Sequence, residues 1–259
     1  MNAELISLIK WYIFDDGSIQ NKLLNLQGEQ LNKERLSFIF LDYLTKNNNL
    51  PDANVIEIYK NNWSLQYNSF YNLAKWYTNF AKTHNLSFCF IKGFSLSIKN
   101  YKDCLHRPFS DIDILIKVED AEKFKKEMVS ANFKLTEIKE NSMTYEYYYD
   151  DIVVIFDVNF DKDDIFDKNR VELKAGMPVL SNEKHFIYLV LSLPNIKSSQ
   201  DNIFNDMDVF PLYKAVDMLL LLKCSNLNII LEEGREYCCS EKIQYILSFF
   251  NKTFGTEYI

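Results

Sequence analysis

The chain has 259 residues, of which 47% are hydrophobic and 25% charged, a composition that is typical of globular proteins and excludes a largely disordered chain. Its 29 basic and 36 acidic side chains give a net charge of -7, so generic DNA binding is not expected, because a polyanion would be repelled. The five cysteines lack paired Cys-x-x-Cys spacing, and the sequence has no signal-like or membrane-spanning apolar run, so we expect a cytoplasmic protein with free thiols and no membrane association.

The first predicted region is a helical subdomain that comprises residues 1–85. Its apolar and aromatic residues recur at helical spacing, as in Trp63, Phe70 and Tyr77, without a strong strand alternation. We expect this region to pack on the region that follows it.

The predicted core, residues 86–180, begins with a short apolar strand at 88–91. A turn that contains Lys92, Gly93 and Ser95 follows and leads into a predicted helix. Backbone N–H groups at the start of a helix bind anions, and glycine lets a phosphate approach the main chain, so Gly93 and Ser95 are candidate nucleotide-binding residues. Lys92 could neutralise a bound triphosphate, or it could be a surface cation or a partner of nearby carboxylates.

The strongest motif is a pair of aspartates, Asp111 and Asp113, placed directly before an apolar run. Alternate strand residues share a face and lie roughly 6.6 Å apart, so both carboxylates can reach a pair of cations spaced ~3.5–4 Å. Mg²⁺ prefers such hard oxygen ligands. Arg107 and Ser110, which precede the pair, are candidate contacts to the nucleotide, and for Arg107 the same structural alternatives stay open as for Lys92.

A third carboxylate, Asp157, lies in an apolar strand predicted at 152–159. In this strand Asp157 is expected to share a face with Val153 and Ile155, and a charge among apolar neighbours is costly without a partner. A bound cation is a sufficient partner. We therefore predict that Asp157 completes the metal site and accepts a proton from the attacking hydroxyl group.

The remaining segments fix the expected fold. A strand at 143–149 and a tight turn at 150–151 predict a hairpin, and residues 119–131 have the spacing of an amphipathic helix. Residues 181–259 are predicted to form a helical C-terminal subdomain, with helices near 185–193 and 211–223. The expected class is α+β, a mixed-sheet core with helices on one side and helical segments at both ends.

The order of these motifs resembles the nucleotidyltransferase superfamily whose fold is shared with DNA polymerase beta. That signature is Gly-x-Ser, then Asp-x-Asp leading a strand, then a lone Asp on a later strand. More narrowly, the segments Ile91–Gly93, Arg107–Leu115 and Phe156–Asn159 resemble a bacterial family of uncharacterised nucleotidyltransferases. Asn159 stands where that family often has a histidine, so its role is left open.

The resemblance implies transfer of a nucleoside monophosphate from an NTP to an acceptor, with release of pyrophosphate and with Mg²⁺ or Mn²⁺ as cofactor. Asp111 and Asp113 would hold the ions, and Asp157 would complete the shell of one of them. Gly93 and Ser95 would bind the β- and γ-phosphates. The acceptor is not named and could be a small molecule, a protein or tRNA.

The sequence leaves some other functions open and disfavours others. The chain could be a non-catalytic nucleotide-binding or interaction module that kept the fold, or a toxin-type nucleotidyltransferase that modifies tRNA or protein. Phosphatases of the haloacid dehalogenase type are disfavoured, because their Asp-x-Asp follows an apolar strand and here it precedes one. Glycosyltransferases that use Asp-x-Asp usually have it in a turn after a nucleotide-binding α/β half. They are disfavoured because the N-terminal region here has a helical pattern instead.

Overall fold

The computed structural model describes residues 3–16, 31–32, 35–47, 53–149, 152–166, 171–193 and 211–258. The chain forms two compact units, one made of Met1–Ala53 and His185–Ile259 and the other of Asn54–Lys184. The predicted hairpin turn at 150–151 lies outside the described residues.

The described helices are, in chain order, α1 (Ala3–Phe14), α2 (Ser37–Lys46), α3 (Ala53–Thr83), α4 (Lys92–Lys99), α5 (Ala121–Ser130), α6 (Asn182–Leu191), α7 (Leu212–Lys223), α8 (Leu227–Glu236) and α9 (Ser240–Phe254). Short 3-10 helices lie at Cys104–His106 and Val118–Asp120. The helices predicted near 119–131, 185–193 and 211–223 are confirmed as α5, α6 and α7, with ends displaced by a few residues.

The strands are β1 (Cys89–Ile91), β2 (Asp111–Lys117), β3 (Lys134–Lys139), β4 (Ser142–Tyr149), β5 (Ile152–Asp161), β6 (Val171–Lys174) and β7 (Met177–Leu180). In the described part of the chain these seven strands form one sheet in the order β3-β4-β5-β2-β1-β7-β6. Strand β2 pairs parallel with β5 and antiparallel with β1, while β5 pairs antiparallel with β4. The sheet is therefore mixed, and the predicted α+β class is confirmed.

One face of the sheet forms the core of the second unit. Along β5 the side chains of Val154, Phe156 and Val158 are buried, which leaves the alternate residues to the other face. Helix α3 packs aromatic side chains on the buried face, and the ring centroids of Tyr77 and Phe156 are 5.3 Å apart. The aromatic residues that predicted a helix here are buried, including Phe70 in the same helix.

The first unit contains helices alone among its described elements. Helix α1 buries Leu8 and Ile9, and the ammonium group of Lys223 at the end of α7 donates a hydrogen bond of 2.7 Å to the carbonyl oxygen of Ile13. Gly255 caps the C-terminus of helix α9, and its φ of 71° is accessible to glycine without steric cost. No helix in the described ranges is both long and apolar enough to span a bilayer.

Three strands were not predicted from the sequence, namely β3, β6 and β7. Strand β3 has lysine or glutamate at three of its six positions and is largely exposed, and β6 is exposed as well. Both lie at the edges of the sheet, where charged residues are common and the apolar alternation that marks an internal strand is absent.

The two compact units divide the helical N-terminal region. Helix α3, up to Thr83, belongs with the sheet from Asn54 onward, whereas Met1–Ala53 belongs with the C-terminal helices. The boundaries near 85 and 180, as limits of separate subdomains, stay a prediction.

Candidate active site

Three carboxylates meet on the more exposed face of the sheet. Asp111 and Asp113 lie two residues apart on β2, and Asp157 lies on the neighbouring strand β5 as the register partner of Asp113. Each side chain offers an oxygen atom, and these atoms lie within 4.8 Å of one another. Asp113 is buried, while Asp111 and Asp157 are half-buried. A cluster of hard, negatively charged oxygen donors with an open side fits the ligand preference of Mg²⁺ and Mn²⁺.

The surroundings of Asp157 differ from the prediction in one respect. Asp157 does share its face with Val153 and Ile155, but Val153 is 44% exposed and Ile155 half-buried. The apolar packing of β5 lies on the opposite face, so Asp157 is not embedded among buried apolar side chains. Asp157 is half-buried, so its carboxylate keeps contact with solvent and burial does not isolate its charge.

Lys92 forms an ion pair with Asp113. The ammonium Nζ lies 2.6 Å from Asp113 Oδ1. Burial raises the pKa of Asp113 from about 3.8 to about 6, Lys92 opposes this change, and the negative charges of Asp111 and Asp157 add to it. Of the alternatives that the sequence left open for Lys92, this structure displays the contact with a carboxylate.

Asn159 links several groups of the site. Its amide nitrogen donates to Asp113 Oδ1 at 3.3 Å, to the carbonyl oxygen of Ile114 at 3.3 Å and to that of Asp157 at 3.1 Å. Its amide oxygen accepts a hydrogen bond of 3.3 Å from Lys92 Nζ. The residue whose role the sequence left open is therefore in direct contact with both members of the ion pair.

Thr144 was missed by the sequence analysis. Its hydroxyl group donates a hydrogen bond of 2.7 Å to Asp157 Oδ1 from the paired position on β4. The signal was present in principle, since a polar threonine alternates with the apolar Met143 and Tyr145 and must face away from the core. The hairpin register was needed to bring it opposite Asp157, and that register depends on the turn length.

The turn before α4 differs from the prediction in detail. The residue with the left-handed backbone is Lys92, with a φ of 53°, and not Gly93. Gly93 is required by packing, since a Cβ atom there would lie 2.9 Å from Cβ of Phe109. Ser95 is fully buried, and its hydroxyl group has no hydrogen-bond partner among the described residues.

The loop before β2 brings the remaining candidates next to this turn. Arg107 is buried, its Nη1 donates a hydrogen bond of 2.6 Å to the carbonyl oxygen of Pro108, and the same nitrogen lies 3.8 Å from the position that a Cβ of Gly93 would take. Ser110 is exposed directly before Asp111. Lys92, Gly93 and Arg107 are thus gathered at one end of β2.

An aromatic cluster fixes this loop. The ring of Phe109 contacts Trp63, Tyr67 and Phe70 of α3 and Phe94 of α4, with centroid distances between 5.2 and 5.9 Å. Four edge-to-face or tilted contacts around one ring hold it in a defined position. The long helix therefore anchors the segment that enters β2, although it supplies none of the three carboxylates.

Comparisons with known proteins add the following. No curated protein matches the chain. Among solved structures, the chain is similar to an antigenic nucleotidyltransferase-like protein from Paracoccidioides brasiliensis, with 12% identity, 71% of this chain and 88% of that chain covered, and a TM-score of 0.48. It is also similar to the lincosamide antibiotic adenylyltransferase LnuA, with 12% identity, coverage of 60% and 95%, and a TM-score of 0.39. A third similar structure is JHP933 from Helicobacter pylori, with 10% identity, 73% of this chain and 94% of that chain covered, and a TM-score of 0.40. Likenesses this distant decide neither the fold nor the substrate.

A family profile gives the stronger result. The profile described as uncharacterised nucleotidyltransferase matches residues 59–255, which include most of α3, the whole sheet and the C-terminal helices. The matched span contains the three clustered carboxylates and amounts to well over half of the chain. The resemblance inferred from the motifs is confirmed, and the chain belongs to this family of uncharacterised nucleotidyltransferases.

Proposed function

We propose that this protein transfers a nucleoside monophosphate from an NTP to an acceptor hydroxyl group and releases pyrophosphate, with Mg²⁺ as its cofactor and Mn²⁺ as a substitute. The observation that carries the proposal is the meeting of Asp111, Asp113 and Asp157 within 4.8 Å on the open face of the sheet. Membership in a nucleotidyltransferase family supports the same reaction class.

The three aspartates would hold the metal. A bound divalent cation would supply positive charge that stabilises the phosphate oxygens as negative charge develops on them. Asp113 is the most buried of the three and has the highest cost for its charge, so it is the group that gains most from a cation.

Asp157 would act on the acceptor. Its carboxylate is half-buried, lies beside Asp113 and is oriented by the hydroxyl group of Thr144. In the proposed step the acceptor oxygen forms a bond to the α-phosphorus while the bond from that phosphorus to the β-phosphate oxygen breaks. The electron pair of the broken bond leaves with pyrophosphate, and the acceptor proton passes to Asp157.

The nucleotide would be bound at the end of β2. Lys92 and Arg107 would supply positive charge for the triphosphate. Gly93 and Ser110 lie in the two segments that border the carboxylates. Of these two residues, Ser110 is exposed. For Ser95, contact with a phosphate requires the turn to open, because its hydroxyl group is fully buried.

The test is incubation of the protein with each of the four α-³²P-labelled NTPs, with Mg²⁺ or Mn²⁺, and with a cell lysate fractionated into RNA, protein and small molecules. Label in one fraction, together with stoichiometric pyrophosphate, names the acceptor class. Asp113→Asn should abolish labelling. Glu241→Gln, which removes a carboxylate from an exposed residue in the first turn of α9, outside the sheet, is the matched control and should retain it.

The alternatives give different results in the same experiment. Tight NTP binding without pyrophosphate release in any fraction would replace catalysis by nucleotide sensing. Label in tRNA or in one protein, together with growth arrest on expression that Asp113→Asn removes, would identify a toxin-type transferase. Full labelling by Asp113→Asn would overturn the proposed site.

A further inference from the structure

At the buried end of the site, the ammonium group of Lys92 supplies a positive charge. Lys92 Nζ lies 2.6 Å from Asp113 Oδ1, and the Asp113 side chain is 6% exposed, whereas that of Lys92 is 35% exposed. The inference drawn from this pair rests on the proposed function, because it concerns how the same carboxylate comes to hold a metal.

Asp113 requires a positive charge nearby whenever it is ionised. It is buried, and two other carboxylates lie within 4.8 Å of it. An ionised carboxylate in such surroundings is destabilised unless a cation or several hydrogen-bond donors compensate it. The ammonium group of Lys92 provides this compensation, at the same oxygen to which Asn159 also donates.

The backbone at Lys92 directs the side chain toward the carboxylate. Lys92 has a φ of 53° where β1 gives way to α4, a conformation that residues with a Cβ atom rarely adopt. Strand β1 pairs with β2 so that Ile91 is opposite Asp113, which brings the residue after Ile91 close to that aspartate. Lys92 adopts this unfavourable backbone conformation at the position from which its ammonium group reaches Asp113.

Asn159 defines the position of the ammonium group. Its amide oxygen accepts from Lys92 Nζ, while its amide nitrogen donates to Asp113 Oδ1 and to two backbone carbonyl oxygens. Those carbonyl oxygens can only accept, so the orientation of the amide is fixed and its oxygen always faces the lysine. The ammonium group therefore has a defined place beside Asp113.

We propose that Lys92 is a positioning residue, an internal counter-ion that holds Asp113 until a divalent metal takes its place and that then turns toward the triphosphate. A metal bound to Asp113 would lie within a few ångströms of the ammonium group, and the repulsion between these two positive charges disfavours their joint presence at one carboxylate. The lysine side chain is partly exposed and has four rotatable methylene links, so it can leave without a change in the fold. The metal thereby replaces the ammonium group of Lys92 at Asp113, and the released ammonium group binds the triphosphate of the nucleotide.

The first experiment measures acylation of lysine amines by an N-hydroxysuccinimide ester, with mass spectrometry as the readout. Lys92 should be protected in EDTA, should react about tenfold faster with saturating Mn²⁺, and should be protected again when a non-hydrolysable NTP analogue is added. Lys134, which pairs with Glu146 on the exposed part of the sheet and is 73% exposed, is the internal control and should react at one rate throughout.

The second experiment measures Mn²⁺ affinity by calorimetry without nucleotide. Lys92→Met should lower the dissociation constant by about tenfold or more, because the competing charge is gone, whereas Lys134→Met should change it by no more than about twofold. Lys92→Arg keeps the charge and should bind Mn²⁺ like the wild type or more weakly. If Lys92→Met unfolds in EDTA, addition of Mn²⁺ should restore its far-UV circular dichroism.

The outcomes separate the two proposals. Mn²⁺ binding that Asp113→Asn abolishes, together with unchanged Lys92 reactivity, would overturn the exchange and leave the metal site in place. Unchanged Mn²⁺ affinity in Lys92→Met would have the same meaning. Absence of Mn²⁺ binding to the wild type would overturn the proposed function and the exchange with it.

Discussion

Asp113 and Asp157 are register partners on two neighbouring parallel strands, β2 and β5. On one side of this pair Ile91 of β1 is opposite Asp113, and on the other side Thr144 of β4 is opposite Asp157. Two of the three carboxylates thus belong to one row of residues across four strands, and both have a paired strand on each side. A substitution of one carboxylate can change the chemistry of this row without changing its geometry.

The first prediction concerns the charge of Asp157. Asp157→Asn removes the proposed proton acceptor and should lower the turnover number by about 100-fold or more. The same change removes repulsion between clustered carboxylates and should stabilise the metal-free protein by about 1 kcal/mol, while the amide oxygen can still accept from Thr144. Steady-state kinetics and urea unfolding in EDTA measure the two effects. A loss of activity that comes with a loss of stability would mean that Asp157 is a structural residue.

Thr144 gives a second prediction. Thr144→Val keeps the shape of the side chain but removes the hydrogen bond to Asp157, and it should lower turnover or Mn²⁺ affinity by about 10-fold, as for other residues that orient a metal ligand. Thr144→Ser keeps the hydroxyl group and should retain most of the activity. Equal activity of the valine and serine variants, measured at saturating NTP, would show that the hydrogen bond has no role in orienting Asp157.

The third prediction concerns pH and stability. Folding raises the pKa of Asp113 from about 3.8 to about 6 because burial disfavours its charge. Between these two values the folded protein binds a proton that the unfolded chain does not, so this group adds stability as the pH falls from 7 to 4 and adds no more below 4. The full effect is about 3 kcal/mol.

Urea unfolding of the wild type and of Asp113→Asn in EDTA isolates the contribution of Asp113 to the pH dependence of stability. The difference in unfolding free energy between the two proteins should move in favour of the wild type by about that amount as the pH falls from 7 to 4. With saturating Mg²⁺ the carboxylate stays ionised in the folded protein, so the difference should then be nearly independent of pH between 7 and 4. A difference that is independent of pH in EDTA would mean that Asp113 has an ordinary pKa.

Gly93 provides the fourth prediction. Gly93→Ala places a methyl group 2.9 Å from Cβ of Phe109, and neither backbone can move freely inside the aromatic cluster, so the variant should be less stable by about 1–3 kcal/mol. Thermal unfolding of the metal-free protein measures this. If Gly93 serves only the approach of a phosphate, the variant would keep its stability and show a higher KM for the NTP.

Local pattern was sufficient to predict the central part of the site. The order of Asp111, Asp113 and the apolar run placed both carboxylates on one face of a strand, and the alternation around Asp157 placed it on a second strand. Both inferences need only the two-residue period of a strand. The meeting of the two strands followed from the resemblance to a family and not from any residue pattern.

The interactions that orient the site were beyond the sequence. The contacts of Thr144, Lys92 and Asn159 depend on the pairing register of four strands, and a shift by one residue would direct each side chain to the other face. The edge strands β3 and β6 were missed because charged residues occupy half of their positions and interrupt the apolar alternation. The packing role of Gly93 depends on Phe109, which is distant in sequence and reaches the turn only through the folded loop.

The aromatic cluster around Phe109 has a practical consequence for mutagenesis. Trp63 contacts that ring, and its indole nitrogen donates a hydrogen bond of 3.2 Å to the carbonyl oxygen of Leu105, so helix α3 secures the loop at two points. Truncation of Trp63 would shift the loop that carries Arg107 and would be scored as a loss of substrate recognition in a screen that reads activity alone. Unless the melting temperature of each inactive variant is also measured, such a screen would assign a binding role to Trp63, although this residue acts by holding the loop in place.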